Sequence, residues 1–451
     1  MIDPKWAWSP FQPTAKRPWT KELAAHLYRR AGFGATAAEL ETAVQMQPAE
    51  LVAQLVQGSD ESVELSEQMD SLAETALSGG NLENLAPPWL YRMLKTSYQL
   101  REKLTLFWHG HFATSAEKVA KADLMLQQNQ LLRRYALGDF TQLVQEISRD
   151  PAMLIYLDSA DNRKSHPNEN YARELMELFC LGEGHYSEQD VRELARCFTG
   201  WEIRRNQFRF NRYQHDFGAK KVLDTSGKLD GEQAVQVVLK QPTAPRFIAQ
   251  KLVHFLVMDE PQATVELIQP LADQLRRDDM QIAGTVQRIL GSQLFFSTTA
   301  VGRKIRSPVE FAVGLLRSLD GLTNVNALSQ QLRQLGQGLF FPPSVKGWDG
   351  GRSWINSSTL VGRANLVYRV LRDEKTSFAA GSLTDVITRQ GISQPLEIVN
   401  WLCQLLVAVP LAEPTRDQLV AILEDKSKGK LSDRLTQTIY TMAALPEFHL
   451  N

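Results

Sequence analysis

The residues best suited to chemistry are concentrated between positions 167 and 201, in PNENYARELMELFCLGEGHYSEQDVRELARCFTGW. If Asn168 caps a first helix, Glu169, Arg173 and Glu177 lie one turn apart on one face. Buried charges are costly unless they are paired, so this density predicts either a structural ion network or a working site. The catalytic candidates of this stretch are Glu169, Asn170, Arg173, Glu174, His185 and Tyr186.

Two histidines in the segment FWHGHF are further catalytic candidates. His109 and His111 share a side only where the backbone is extended, because on a helix they point about 200° apart. Gly110 would permit a non-helical turn, which would let both imidazoles and Glu174 bind a divalent metal. The alternative is a pair of hydrogen-bonded, partly buried histidines at a helix end.

Two glycine-containing segments later in the chain hold candidate ligand-binding residues. In YQHDFGAKKVL, His215 could bind a ligand or act as a structural donor, and Asp216 could do the same or cap a turn. In VKGWDGGRSWI, three glycines would let backbone amides and a cationic side chain approach an anionic group. A packed tryptophan loop is the alternative for this second segment, whose candidates are Lys346, Trp348 and Arg352.

The elements that must position these residues are almost all helical. Apolar residues recur at helical spacing through most of the chain, often between capping residues and glycines. Residues 1–19, rich in Pro and Trp, are predicted to form an extended arm, and 20–451 a single large helical domain. A small β-hairpin insertion is expected near 201–224, where apolar and polar residues alternate. The predicted fold class is therefore mainly α.

Composition excludes several classes of protein. The 451 residues carry 50 Lys and Arg against 51 Asp and Glu, so the basic excess typical of nucleic-acid-binding proteins is missing. The N-terminal residues lack the apolar run of a signal peptide, and no stretch of about 18 apolar residues predicts a transmembrane helix. The three cysteines form no metal-type pair. We expect a cytoplasmic protein.

Several segments together resemble one bacterial family. In chain order they are HLYRRAGFGAT, LREKLTLFWHGHFATS, RDPAMLIYLD, NENYARELMELFCLGEGHYSEQDV, ARCFTGW, HDFGAKKVL and VKGWDGGRSWI. They resemble the domain-of-unknown-function 1800 family over nearly the whole chain. The resemblance implies a mostly helical protein without an assigned activity, often encoded beside a sulfatase-like protein that would be its partner.

Two classes of function follow from these residues. In the first, the His, Glu, Asn and Arg side chains converge in one concave site of an enzyme or ligand-binding protein, assisted by a divalent metal if the histidines are ligands. In the second, the protein is a non-catalytic helical scaffold or escort for the product of the neighbouring gene. An open pocket with unpaired polar groups would favour the first class, and a fully paired polar cluster the second.

Overall fold

The structure is a computed structural model that describes residues 2–451, and its helices follow from amphipathic stretches bounded by capping residues. Thr36 and Glu39 form a reciprocal capping box at the start of the third helix, as their spacing predicts. The helices of the first third are α1 (Pro4–Ala7), α2 (Lys21–Ala31), α3 (Ala37–Val44), α4 (Pro48–Gln57), α5 (Val63–Ser78), α6 (Ala86–Lys95), α7 (Gln99–His111), α8 (Ala116–Val119), α9 (Ala122–Arg134), α10 (Phe140–Arg149) and α11 (Pro151–Tyr156).

The segment expected to be an extended arm, 1–19, begins instead with the single turn of α1; residue 1 lies outside the described residues. Two of its tryptophans are tied to the helical body. The indole of Trp8 donates to the carbonyl oxygen of Leu267 over 2.6 Å, and that of Trp19 donates to Ala43 over 3.1 Å. Trp6 is 42% exposed, so it does not share this role.

One local prediction in the first third is wrong. The helix α7 continues through Gly110 to His111, so FWHGHF does not form a non-helical turn. The helices α8 and α9, which follow α7, are separated at Ala120. That residue has a left-handed backbone, with φ of 55°, which ends one helix before the next begins.

The stretch 167–201 forms two helices joined by a loop. The first, α12 (Asn170–Glu174), continues without a break as a π-helical segment, Leu175–Cys180. The second is α13 (Glu188–Cys197), where Ser187 and Asp190 form a capping box, as their spacing predicts.

Three small antiparallel sheets complete the secondary structure of residues 2–451, and the fold is mainly α as predicted. The strands expected near 201–224 are present as two separate hairpins, of which the second ends at Gly227. A third pair of short strands lies outside the predicted region. The strands are β1 (Trp201–Arg204), β2 (Gln207–Phe210), β3 (Lys220–Val222), β4 (Thr225–Gly227), β5 (Gly321–Leu322) and β6 (Ser377–Phe378).

The remaining helices pack on the same apolar core, which extends from Ala7 to Phe448. None of the helices within residues 2–451 is long and apolar enough to cross a membrane. The helices are α14 (Gly231–Leu239), α15 (Thr243–Leu256), α16 (Val265–Arg277), α17 (Ile282–Leu290), α18 (Pro308–Ser318), α19 (Val325–Gln334), α20 (Ser357–Arg372), α21 (Leu383–Arg389), α22 (Pro395–Leu406), α23 (Glu413–Glu424) and α24 (Leu431–Ala443).

Two of the segments that hold candidate site residues, FWHGHF and VKGWDGGRSWI, contact each other through their glycines. Gly347, in VKGWDGG, has φ of 75°, and a Cβ on it would lie 2.1 Å from the carbonyl oxygen of Gly110. Real Cβ atoms do not approach so closely, so only glycine fits this contact. The end of α7 and the glycine-rich segment 336–354 are thereby held together, and they form part of the cavity described below.

We predict that Gly347→Ala destabilises the protein more than Gly350→Ala. Both glycines are left-handed, with φ of 75° and 76°, but a Cβ at Gly350 would meet nothing within 4 Å. The control therefore measures backbone strain alone, about 1–2 kcal/mol. The clash should cost Gly347→Ala a further 1–3 kcal/mol or so. Urea unfolding of both variants checks this, and equal losses would contradict the close contact.

Candidate functional site

A cavity of about 350 Å³ lies between the end of α7, one face of α15, the start of α18 and the segment 336–354. Its walls are partly aromatic, with polar groups at defined positions, which is the usual character of a small-molecule site. The aromatic side chains that line it are Phe107, Phe255, Trp348 and Trp354, and the charged or ionisable ones are His111, Lys251, His254, Lys304, Glu310, Lys346 and Asp349.

Helix α15 supplies two of the polar groups. Lys251 and His254 are three residues apart and so lie on one face of the helix, with the ammonium of Lys251 5.2 Å from the ring centre of Phe247. Both residues are exposed, and both line the cavity. Burial lowers the pKa of Lys251, and burial followed by the charge of Lys304 lowers that of His254. His254 is therefore neutral at pH 7.

The cavity floor is built from two buried ion pairs. Lys304 pairs with Asp259, which also accepts the backbone N–H of Ile305 over 3.0 Å. Glu310 pairs with Lys103, whose ammonium also donates to a backbone carbonyl of α2. Burial alone would raise the pKa of Glu310, but the attraction of Lys103 and Lys304 outweighs burial and lowers it to about 2. The charges of Lys304 and Glu310 at the cavity floor are therefore each balanced by an oppositely charged partner.

The glycine-rich segment closes the cavity from the other side. The indole of Trp348 donates to the carbonyl oxygen of Gly336 over 3.0 Å, which fixes the ring at the cavity wall. Lys346 lies beside it and is exposed. Its charge acts on Glu174, whose pKa is nevertheless raised by burial and by the neighbouring Glu177. Of the predicted ligand-binding residues, Lys346 and Trp348 therefore line the cavity.

The two histidines of FWHGHF do not share a site. His109 is buried, and its Nε2 accepts the backbone N–H of Phe340 over 3.0 Å, so that nitrogen carries no proton. The Nε2 of His111 lies 3.0 Å from the carbonyl oxygen of Phe179, where it must donate. Burial lowers the pKa of His109 to about 4 and that of His111 to about 3.

The prediction that His109, His111 and Glu174 bind one metal ion together is wrong. Helix α7 continues through both histidines, so their imidazoles point in different directions. Across residues 2–451, no group of three or more His, Cys, Asp and Glu side chains is arranged to hold a metal ion. His111 alone reaches the cavity wall.

The ion network of the stretch 167–201 lies at the surface. Arg173 binds Glu188 through both terminal nitrogens, at 2.7 and 2.8 Å, and Glu169 at 3.3 Å. The hydroxyl of Tyr186 donates to Glu177 over 2.6 Å. Asn170 and His185 are exposed. The contacts of Glu169, Arg173 and Tyr186 are therefore those of a structural ion network, the alternative to a working site.

Three of the predicted ligand-binding residues have structural contacts away from the cavity. The Nδ1 of His215 lies 2.8 Å from the carbonyl oxygen of Thr199, and His215 is 4% exposed. Asp216 accepts from Arg196 over 2.8 Å and from the backbone N–H of Gly218 over 2.7 Å, which is a turn cap. Arg352 pairs with Glu260 at the surface over 2.7 Å.

Residue patterns did not identify Lys251, His254, Lys304 or Glu310 as site residues. The sequence of α15 does contain a signal for two of them. Phe247, Lys251 and His254 are spaced four and three residues apart, so they lie on one face of a helix. Such a row is also typical of a solvated helix face, so the spacing alone would not have distinguished the two. For Lys304 and Glu310 the only signal was charge within a strongly apolar region.

We predict that Glu310→Gln lowers the free energy of unfolding at pH 7 by about 3–5 kcal/mol, because it leaves Lys103 buried without its partner. The pKa of Glu310 in the folded protein, about 2, is below its ordinary value of 4.5. The ion pair therefore stabilises the fold above about pH 4.5, and this contribution is lost as the pH falls towards 2. The variant should lose less stability than the native protein over that range.

Glu39→Gln is the matched control for this measurement. Glu39 occupies the same capping-box position in α3 as Glu310 does in α18, but it is solvent-accessible. Its loss should cost about 1 kcal/mol. Chemical unfolding from pH 7 to pH 2 compares the two variants, and similar losses at pH 7 would argue against the buried pair.

Comparison with known proteins places the chain in a family without assigning an activity. No curated protein and no solved structure matches it. The family described as "Protein of unknown function (DUF1800)" matches residues 26–450, nearly the whole chain and every segment that frames the cavity. The chain belongs to the DUF1800 family.

Proposed function

We propose that the protein binds a small anionic ligand with an aromatic or apolar portion in the cavity between α7, α15, α18 and the segment 336–354. The observation that carries this proposal is the presence of Lys251 and Lys346 in the cavity wall. Neither lysine forms an ion pair within 4.0 Å in the part of the chain that the structure describes, residues 2–451.

The balance of charge supports an anion rather than a cation. Once Lys304 is assigned to Asp259 and Glu310 to Lys103, two lysines and the exposed Asp349 remain in the wall. Both lysines are exposed in the cavity wall, where two like charges attract an anion and repel a cation. The surrounding protein atoms lower the pKa of Lys251.

The other walls support an apolar portion of the ligand. Phe107 and Phe255 pack with ring centres 5.0 Å apart, and Trp348 and Trp354 line the opposite side. Aromatic walls contribute buried apolar area and fix the orientation of a planar group. A cavity of about 350 Å³ suits a compound of modest size.

The alternative role, a scaffold or escort for a sulfatase-like partner, rests on the family resemblance alone. An accessible cavity whose wall carries two exposed lysines without carboxylate partners favours ligand binding over a purely structural role, because both ammonium groups are free to contact an anion. Catalysis by the neutral His254 would require a bound substrate within its reach, so ligand binding is the first property to test.

We predict that 1-naphthalenesulfonate binds the protein and that the neutral 1-naphthalenemethanol binds at least tenfold more weakly. Lys251→Met and Lys346→Met should each weaken sulfonate binding by roughly 10- to 100-fold, the loss of one charge-assisted contact. The control Lys426→Met, at an exposed lysine far along the chain, should leave it unchanged. Calorimetric titration provides the measurement, and equal affinity for both compounds would refute an anion site.

We further predict that sulfonate binding strengthens as the pH falls below about 6.5. His254 is neutral at pH 7 because burial and Lys304 lower its pKa, although Asp259 acts in the opposite direction. A bound sulfonate favours the imidazolium, so protonation and binding assist each other on acidification. The sulfonate itself stays ionised throughout.

His254→Gln should abolish this pH dependence and leave the affinity at pH 7.5 within about threefold. Titrations at pH 5.5, 6.5 and 7.5 compare the variant with the native protein. An unchanged pH profile in His254→Gln would show that another group is responsible.

A further inference from the structure

Four basic side chains lie in the interior behind the cavity floor, around the first turn of α18. They come from α2, the segment before α18, α20 and the last 3-10 turn of the chain, Pro446–His449. Their exposed fractions are 4% or less. This buried basic cluster consists of Arg29, Arg306, Arg363 and His449.

Hydrogen bonds and ring contacts hold the cluster together. The guanidinium of Arg363 donates to the carbonyl oxygen of Arg306 over 2.8 Å, and the backbone N–H of Arg306 donates to the carbonyl oxygen of His449 over 2.8 Å. The ring of Phe311 contacts both the Arg363 guanidinium, at 5.1 Å, and the His449 imidazole, at 5.6 Å. The charges of Arg29 and Arg363 both act on Arg306, whose pKa burial already lowers.

Much of the donor capacity of the cluster is unused. Within residues 2–451, Nε and Nη1 of Arg29, the same two nitrogens of Arg363 and both ring nitrogens of His449 have no hydrogen-bond partner. None of the three arginines forms an ion pair with a carboxylate of this part of the chain. Glu310, the carboxylate that acts on Arg306 and Arg363, is already paired with Lys103.

Such an arrangement needs a counter-charge. A buried guanidinium without a partner is strongly destabilising, and a guanidinium remains charged at neutral pH even where burial lowers its pKa. Buried water would satisfy donors but would not neutralise charge, whereas an anion does both. The N-terminus of α18, which starts at Pro308 beside the cluster, adds further positive potential.

We propose that the buried basic cluster of Arg29, Arg306, Arg363 and His449 binds a small inorganic anion of the size and charge of chloride as part of the folded structure. The cluster is at least 96% buried on each side chain, which favours a compact ion over an organic ligand. The site is separate from the cavity, where Lys251 and Lys346 are the unpaired cations.

Thermal unfolding in sodium chloride against sodium gluconate, at constant ionic strength, tests this proposal. We expect Tm to rise by a few °C, roughly, from 5 to 500 mM chloride, since an ion bound only by the folded state stabilises it by mass action. Arg363→Met should lose this chloride dependence. Arg352→Met, at an exposed arginine, should keep it. Equal Tm values in the two salts would overturn the proposal.

Two further measurements keep the site distinguishable from the cavity and from a folding defect. Lys251→Met combined with Lys346→Met should retain the chloride dependence, and its loss would assign the ion to the cavity instead. In crystals grown with sodium bromide, the anomalous signal should peak beside Arg363 and His449. If Arg363→Met does not fold, the bromide map of the native protein decides, and no peak at the cluster would refute the site.

Discussion

The carboxylate of Glu310 is the charge on which the interior of this protein depends. It lies in the first turn of α18, where it accepts the backbone N–H of Ser307 and pairs with Lys103 of α7. Lys103 in turn donates to a backbone carbonyl of α2. One buried acidic group thus links three helices and lies between the cavity and the basic cluster behind it.

The cavity exists because two backbone segments approach more closely than side chains would allow. The end of α7 meets the segment 336–354 at Gly110 and Gly347, and the indole of Trp348 is fixed by its hydrogen bond to Gly336. The opposite wall is a regular helix face carrying Lys251 and His254. The glycine contact on one side and the regular helix on the other fix the width of the cavity. A mainly helical fold can in this way present polar groups at fixed positions.

The sequence predicts features that depend on residues close together in the chain. It does not predict contacts between residues that are far apart in the chain. The capping boxes at Thr36 and Ser187 and the hairpin after Trp201 are correctly predicted, because each depends on a few adjacent side chains. The pair of Lys103 and Glu310 is separated by 207 positions, and no spacing rule indicates it.

The failures at the candidate site have particular physical causes. Gly110 suggests a break, but the packing of its helix on the core keeps α7 regular through that residue. The dense charges after Pro167 indicate a site, yet Arg173 and Glu188 satisfy each other at the surface. The sequence indicates Lys346 and Trp348 as candidate site residues because their glycine-rich context is unusual. It does not indicate Lys251 and His254, because they lie in an ordinary amphipathic helix.

The π-helical segment Leu175–Cys180 has a consequence for the phase of the helix that contains it. In this segment the N–H of Leu181 bonds to the carbonyl oxygen of Met176, five residues back, so one carbonyl is released from the regular ladder. Phe179 uses its oxygen to accept from His111, and Glu177 turns towards Tyr186 instead of extending the row of Glu169 and Arg173. The segment Leu175–Cys180 therefore contacts both regions: Glu177 accepts from Tyr186 beside the surface ion network, and the carbonyl oxygen of Phe179 accepts from His111 in the wall of the cavity.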